Sequence, residues 1–146
     1  MGKPVTSVRT VSAPPQAVFD IISDPRRYAE IQPDIVGIDV LQEDAEGRVE
    51  RFRETRRMKG REAAVELRIT ERTPAKRIRF VSDAGGTTWD TVYSLRSEGE
   101  GTALHLEMQV RPYKFFARIL TPLILPMVRR GIESDMDRVA DHFSGR

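Results

Sequence analysis

Glu54 and Arg56 are the residues best placed to do chemistry in this sequence. They stand two apart on one strand, so their side chains share a face and can meet. Such a pair can orient a carbonyl or hydroxyl. A carboxylate raised in pKa by burial can also act as a base, with Arg56 or Tyr93 donating to a developing oxyanion. The guanidinium opposes that second use, because a nearby positive charge lowers the pKa of a carboxyl. Thr91 and Tyr93 add two hydroxyls at strand spacing. Other usual sources of chemistry are missing. The 146 residues include no cysteine, which removes disulfides, thiol nucleophiles and thiolate metal sites, and only two histidines, His105 and His142, far apart. No Ser–His–Asp set, phosphate loop or metal-ligand cluster is visible, so neither a metal nor a cofactor is expected.

The elements that must position these residues follow from pattern. Val5 to Val11 reads as a strand. Pro14-Pro15 announces a short helix carrying Val18, Phe19 and Ile22 on one side. Asp24-Pro25, a cap residue followed by proline at the first helical position, opens a second helix that carries Tyr28 and Ile31 and stops before Pro33. From Ile35 to Pro112 strands alternate with turn signals at roughly ten-residue intervals, the signature of an antiparallel meander. After Tyr113 the apolar period becomes helical: Phe116, Leu120, Leu123, Met127, Ile132, Met136, Val139 and Phe143 fall near one stripe. Pro122 and Pro126 each remove a backbone donor, so a break or bend is expected near 121–126, in preference to a straight helix.

Turn lengths then fix which side chains share a face, since directly opposed residues of antiparallel strands point the same way. Lys59-Gly60 as a two-residue turn sets Met58 opposite Arg61, Glu54 opposite Val65 and Phe52 opposite Leu67. Pro74-Ala75 sets Ile69 opposite Phe80, and Gly85-Gly86 sets Phe80 opposite Thr91 and Ile78 opposite Tyr93. A turn through Glu98 to Gly101 sets Tyr93 opposite Leu106 and Thr91 opposite Met108. Ala45-Glu46-Gly47 sets Val40 opposite Phe52 and Ile38 opposite Glu54. One face thereby collects Val36, Ile38, Val40, Phe52, Val65, Leu67, Ile69, Ile78, Phe80, Trp89, Tyr93, Leu95, Leu104, Leu106, Met108 and Val110. The other collects Arg53, Arg57, Glu66, Arg68, Arg79, Asp90, His105, Glu107 and Gln109, with Val49 and Val81 out of place. Polar groups on the apolar face (Glu54, Arg56, Ser82, Thr91 and the Tyr93 hydroxyl) need a partner or a wet cavity. Glu54 and Arg56 form either an ion pair at the open rim of the sheet or a pair lining a ligand cavity. A one-residue register slip that exposes both is the third alternative.

Composition bounds the rest. With 39% apolar and 32% charged residues and a net charge of +2, the chain reads as one soluble globular domain spanning residues 1–146. The apolar run from Ile119 to Val128 is half of what a bilayer span needs, and the N-terminus lacks an apolar signal core, so a cytoplasmic location without a transmembrane segment is expected.

The ordered combination of stretches resembles the START-related helix-grip (SRPBCC) superfamily, in its polyketide cyclase/dehydrase-like branch. The stretches are Ser12-Ala-Pro-Pro-Gln-Ala-Val-Phe-Asp20, Asp24-Pro25 with Tyr28, Arg51-Phe-Arg-Glu-Thr-Arg56, Ile69-Thr-Glu-Arg-Thr-Pro74, Arg77-Ile-Arg-Phe80, Gly99-Glu-Gly-Thr102 and Leu123 to Val139. The resemblance implies an α+β helix-grip fold: a curved antiparallel sheet wrapped around a long C-terminal helix, two short helices after the first strand, and a cavity between sheet and helix. Members are similar in holding lipids, sterols, polyketides, hormones or quinones there.

Three functions compete. The first is binding of a small hydrophobic molecule, with Phe52, Phe80, Trp89, Met108, Phe116, Leu120 and Leu123 as apolar walls and Glu54, Arg56, Thr91 and Tyr93 as orienting groups. On this reading truncating Trp89 or Phe116 weakens binding and truncating His105 does not. The second is a cyclase or dehydratase using Glu54 with Arg56 or Tyr93. The third is a protein-interaction module with a filled core. Seven basic residues lie between Arg48 and Arg61, but Glu50 and Glu54 are interspersed and no exposed aromatics accompany them, so no nucleic acid is expected. The oligomeric state stays open, with a homodimer as one alternative.

Overall fold

The computed structural model describes residues 2–145. The order is β1 (Val5–Val11), α1 (Pro15–Ile22), α2 (Pro25–Ile31), β2 (Ile35–Glu43), β3 (Val49–Met58), β4 (Arg61–Thr73), β5 (Arg77–Ala84), β6 (Thr87–Glu98), β7 (Gly101–Pro112) and α3 (Phe115–His142). All seven strands form one antiparallel sheet in the order β1-β7-β6-β5-β4-β3-β2. β1 thus joins the far end of the meander, and α1 and α2 bridge its two ends. The chain is an α+β helix-grip fold, as expected.

Local chemistry explains the boundaries. α1 starts with Pro15 at its first position. α2 starts at Pro25, with the Asp24 carboxylate accepting from the Arg26 amide at 3.0 Å. The β3–β4 hairpin turns on Lys59 and Gly60, both at positive φ (52° and 77°), the conformation a two-residue hairpin loop demands. Gly101 has no room for a side chain, since a Cβ there would lie 2.5 Å from the Val11 carbonyl oxygen, where β7 pairs with β1.

The ten strand pairings expected from turn lengths are all present. Three details differ, and each traces to a bulge. The β4–β5 turn is not the two-residue Pro74-Ala75: Thr73 pairs with Arg77, leaving three residues in the loop with Ala75 at φ 62°. A bulge between Ile69 and Glu71 takes up the extra residue and restores Ile69 opposite Phe80. A bulge between Ile35 and Gly37 turns Ile35 inward and leaves Val36 exposed, contrary to the expected face. Irregular pairing around Gln42 flips Val49 into the core.

The core lies between the inner sheet face, α1 and the C-terminal half of α3: Val11, Val18, Ile22, Ile78, Leu104 and Leu106 meet Ile132, Met136 and Val139. α3 is 28 residues, about 42 Å long. It runs unbroken through Pro122 and Pro126, so no separate short helix forms ahead of Thr121. Polar contacts away from the Asp135 region help to hold it down. Arg9 on β1 donates to Glu133 and Asp137, both at 2.8 Å. The Thr87 and Thr121 hydroxyls meet at 2.9 Å, both buried. None of the helices among the described residues is long and apolar enough to cross a membrane.

Candidate functional site

Between the inner face of β3–β7, α2 and the middle of α3 lies a cavity of about 300 Å³, at the small end of the range for drug-sized ligands. Its walls are apolar. Phe52, Phe80 and Tyr93, on three strands, meet edge to face with centroids 6.2 and 5.9 Å apart. Leu67, Leu106 and Met108 continue the sheet side, and Met127, Val128 and Ile132 come from α3. Gly131 stands among them, and a Cβ on it would meet nothing within 4 Å. The helix therefore carries a glycine, unfavourable by about 0.5–1 kcal/mol relative to alanine, where a side chain would project into the cavity. A second recess of about 340 Å³, between α1–α2 and the β2–β3 turn, is rimmed by Asp20, Asp24, Arg26, Arg27, Arg48 and Arg72 and lacks such walls.

One end of the cavity is polar. The Arg56 guanidinium donates from Nε to Glu54 Oε2 at 2.9 Å, and from Nη1 and Nη2 to the two carboxylate oxygens of Asp135 at 3.1 and 2.9 Å. Arg56, Glu54 and Asp135 side chains are only 22%, 13% and 16% exposed. Burial works against the Arg56 charge, but the two carboxylates more than offset it and its pKa is raised, so it stays a cation. Asp135 is itself held from behind. Its backbone carbonyl accepts from the buried Gln32 side chain at 3.0 Å. Arg138 bridges Gln32 and Asp34 alongside, at 3.3 and 3.2 Å. The Tyr28 and Tyr93 phenols complete this end. Burial pushes both pKa values up, so both hydroxyls remain protonated and can donate.

Of the residues singled out in the sequence, the structure brings Phe52, Glu54, Arg56, Phe80, Thr91, Tyr93 and Met108 together around this cavity. It does not bring Trp89, Phe116, Leu120 or Leu123 there. Trp89 lies on the inner face but near the Gly85-Gly86 turn, its indole donating to the Ala84 carbonyl at 3.2 Å. Phe116, Leu120 and Leu123 are exposed, because they lie around the helix from Ala117 and Thr121, the residues of that half that are buried against the sheet. His105 is exposed on the outer face, as expected. Missed were Asp135, Gln32, Gly131 and the role of Tyr28. Asp135 had a readable signal, since it is three residues from Ile132 and four from Val139, on the inward stripe.

Residues 4–144 match the family described as polyketide cyclase / dehydrase and lipid transport. Among curated proteins none matches the chain. Solved structures with the same fold include a protein from Thermus thermophilus (20% identity, 94% of each chain covered, TM-score 0.76). A START superfamily protein from Mycobacterium smegmatis is 17% identical, with 94% of this chain and 99% of that one covered and a TM-score of 0.69. The di-domain ARO/CYC BexL of the BE-7585A biosynthetic pathway is 17% identical; 98% of this chain covers 50% of that one, with a TM-score of 0.78. With the match running almost from end to end, the chain belongs to the polyketide cyclase / dehydrase and lipid transport family.

Proposed function

We propose that the protein binds a small, largely apolar, uncharged molecule in the cavity between sheet and α3, with a hydroxyl or carbonyl of that molecule at the Arg56–Tyr93 end. One observation carries this reading: an apolar cavity closed at one end by a few convergent polar groups. The charge there narrows the ligand class. Two carboxylates face one guanidinium, and Arg138, 3.8 Å from Asp135, is also drawn to Asp34. A ligand carboxylate would be repelled, whereas a hydroxyl could donate to Glu54 or Asp135 and a carbonyl could accept from Tyr28 or Tyr93.

Gly131 provides the test. Gly131→Leu should fill the cavity and abolish uptake of an apolar fluorescent probe, while thermal stability holds or rises because a helical glycine is removed. Uptake unchanged in a folded Gly131→Leu protein would sink the proposal. Native mass spectrometry of the wild type, followed by solvent extraction, should reveal a bound compound of a few hundred daltons, on the order of what fills a drug-sized pocket.

A polyketide cyclase or dehydratase is the second reading, favoured by the structural likeness to an ARO/CYC protein. Glu54 would remove a proton from the carbon beside a carbonyl. The enolate, its oxygen held by the Tyr93 hydroxyl, would attack a second carbonyl of the same molecule, and the hydroxyl formed would leave as water with a proton returned by Glu54. Against it, Glu54 is already held by Arg56 at 2.9 Å. Conversion of the extracted compound by the wild type, lost in Glu54→Gln, would establish turnover.

A further inference from the structure

We propose that the N-terminal half of α3 docks the protein on an anionic lipid bilayer, with the cavity mouth facing the membrane. Eight of the eleven exposed large apolar side chains among the described residues lie between Tyr113 and Met127. Phe115 and Leu123 are 79% and 72% exposed, and Phe116, Ile119, Leu120 and Met127 each about half. They occupy the side of the helix opposite Ala117 and Thr121, which are buried against the sheet. A solvent-facing apolar strip of this kind marks an interaction surface.

Charge selects the occupant. From Met108 to Ile132 the sequence contains no Asp or Glu, but it contains Arg111, Lys114, Arg118, Arg129 and Arg130. Arg111 is paired with Asp90. The other four are exposed, and among the described residues none of them lies within ion-pair distance of a carboxylate. Arg118, Pro122, Pro126 and Arg129 fall on one edge of the strip at helical spacing, so the carbonyls the prolines leave unpaired lie on the charged, hydrated edge. Phenylalanine and leucine on one side with cations along the margin is the pattern of a helix lying in the membrane interface. A second copy of this chain would place the same uncompensated cations against each other, which disfavours a dimer through this strip.

The strip runs into the cavity. Met127 lines it, as does Met58, also exposed, beside Lys59 at the tip of the β3–β4 hairpin. An apolar ligand could therefore pass between bilayer and cavity without crossing water. This last step rests on the cavity reading; the docking does not.

Cosedimentation of the full chain with vesicles tests it. Binding to phosphatidylglycerol–phosphatidylcholine vesicles and not to phosphatidylcholine alone is expected, weakening as salt is raised. Phe115→Gln with Leu123→Gln should reduce binding more than tenfold, and Arg118→Gln or Arg129→Gln about fivefold each. Val8→Gln, an exposed apolar residue of β1, should change nothing. All the substituted side chains are exposed, and apolar-probe uptake in vesicle-free solution checks that the variants remain folded. Equal binding to neutral vesicles, full binding by the Phe115/Leu123 variant, or a concentration-dependent dimer that this variant disperses would overturn the docking. Vesicle binding without probe uptake by the wild type would instead overturn the cavity reading and leave the docking standing.

Discussion

Both halves of α3 carry large apolar residues at helical spacing, and these meet opposite fates. In the C-terminal half, Ile132, Met136 and Val139 are buried in the core, and Asp135 is clamped to Arg56 across the cavity. In the N-terminal half, Phe115, Phe116, Ile119, Leu120 and Leu123 stand in solvent, and Ala117 and Thr121 alone are buried. Helical spacing holds within each set, but the five-residue step from Met127 to Ile132 carries the apolar stripe about 140° around the helix, so the two sets face different sides. The gripped half is held by packing and a polar clamp, the other half by little beyond the Thr87–Thr121 contact, and function can use the difference.

Stability should divide along the same line. Met136 is 1% exposed, and Met136→Ala should cost about 2–5 kcal/mol through lost burial and a cavity. Leu123→Ala should stay within about 0.5 kcal/mol of wild type. Urea unfolding of the pair checks this, and a comparable loss at Leu123 would mean that the N-terminal half is covered in solution. Next in size is the clamp. Asp135→Ala leaves Arg56 with Glu54 alone in a poorly hydrated site. The expected loss is about 2–3 kcal/mol, below the value for a fully buried pair because all three groups keep some contact with water. No loss would mean that packing alone holds this half.

Ligand affinity should follow the same division with smaller effects. Tyr93→Phe removes one donor at the polar end and should weaken binding about fivefold. Phe116→Ala, expected from sequence to weaken it, should leave vesicle-free uptake unchanged, as should His105→Ala. A drop in Phe116→Ala would show that the exposed half folds over the ligand.

The same division explains what could be read in advance. Strand register was legible because hairpin loops and a period of two constrain each other. It survived even where the β4–β5 turn length was misjudged, because the bulge beside Thr70 offset the extra loop residue. The inward positions Ile132, Met136 and Val139 of α3 were legible too, and so was the Glu54–Arg56 contact. That Phe116, Leu120 and Leu123 face away from the sheet was not, because the change of side falls in a single irregular step, Met127 to Ile132. Asp135 was hidden for a different reason: an acidic residue in an amphipathic helix looks like surface unless its face is checked.

Acid provides the mildest test of the two halves. The Ser7 hydroxyl and the Arg9 guanidinium hold the Glu133 carboxyl below the usual carboxylate range. A depressed pKa in the folded state means that the native protein favours the ionised form. That contribution is complete above the unfolded pKa and is lost as pH falls through the folded one. Glu133 is half exposed, so solvent screens the effect to well under about 1 kcal/mol. The other half of α3 has no carboxylate to titrate, since Glu133 is the first acid after Glu107. Acid should therefore loosen the gripped half and leave the bare one indifferent. Glu133→Gln should flatten part of the decline in urea stability between about pH 5 and pH 3. Wild-type slope in that variant would mean that the Arg9 contact contributes nothing, leaving apolar packing and the Asp135 clamp to hold the helix.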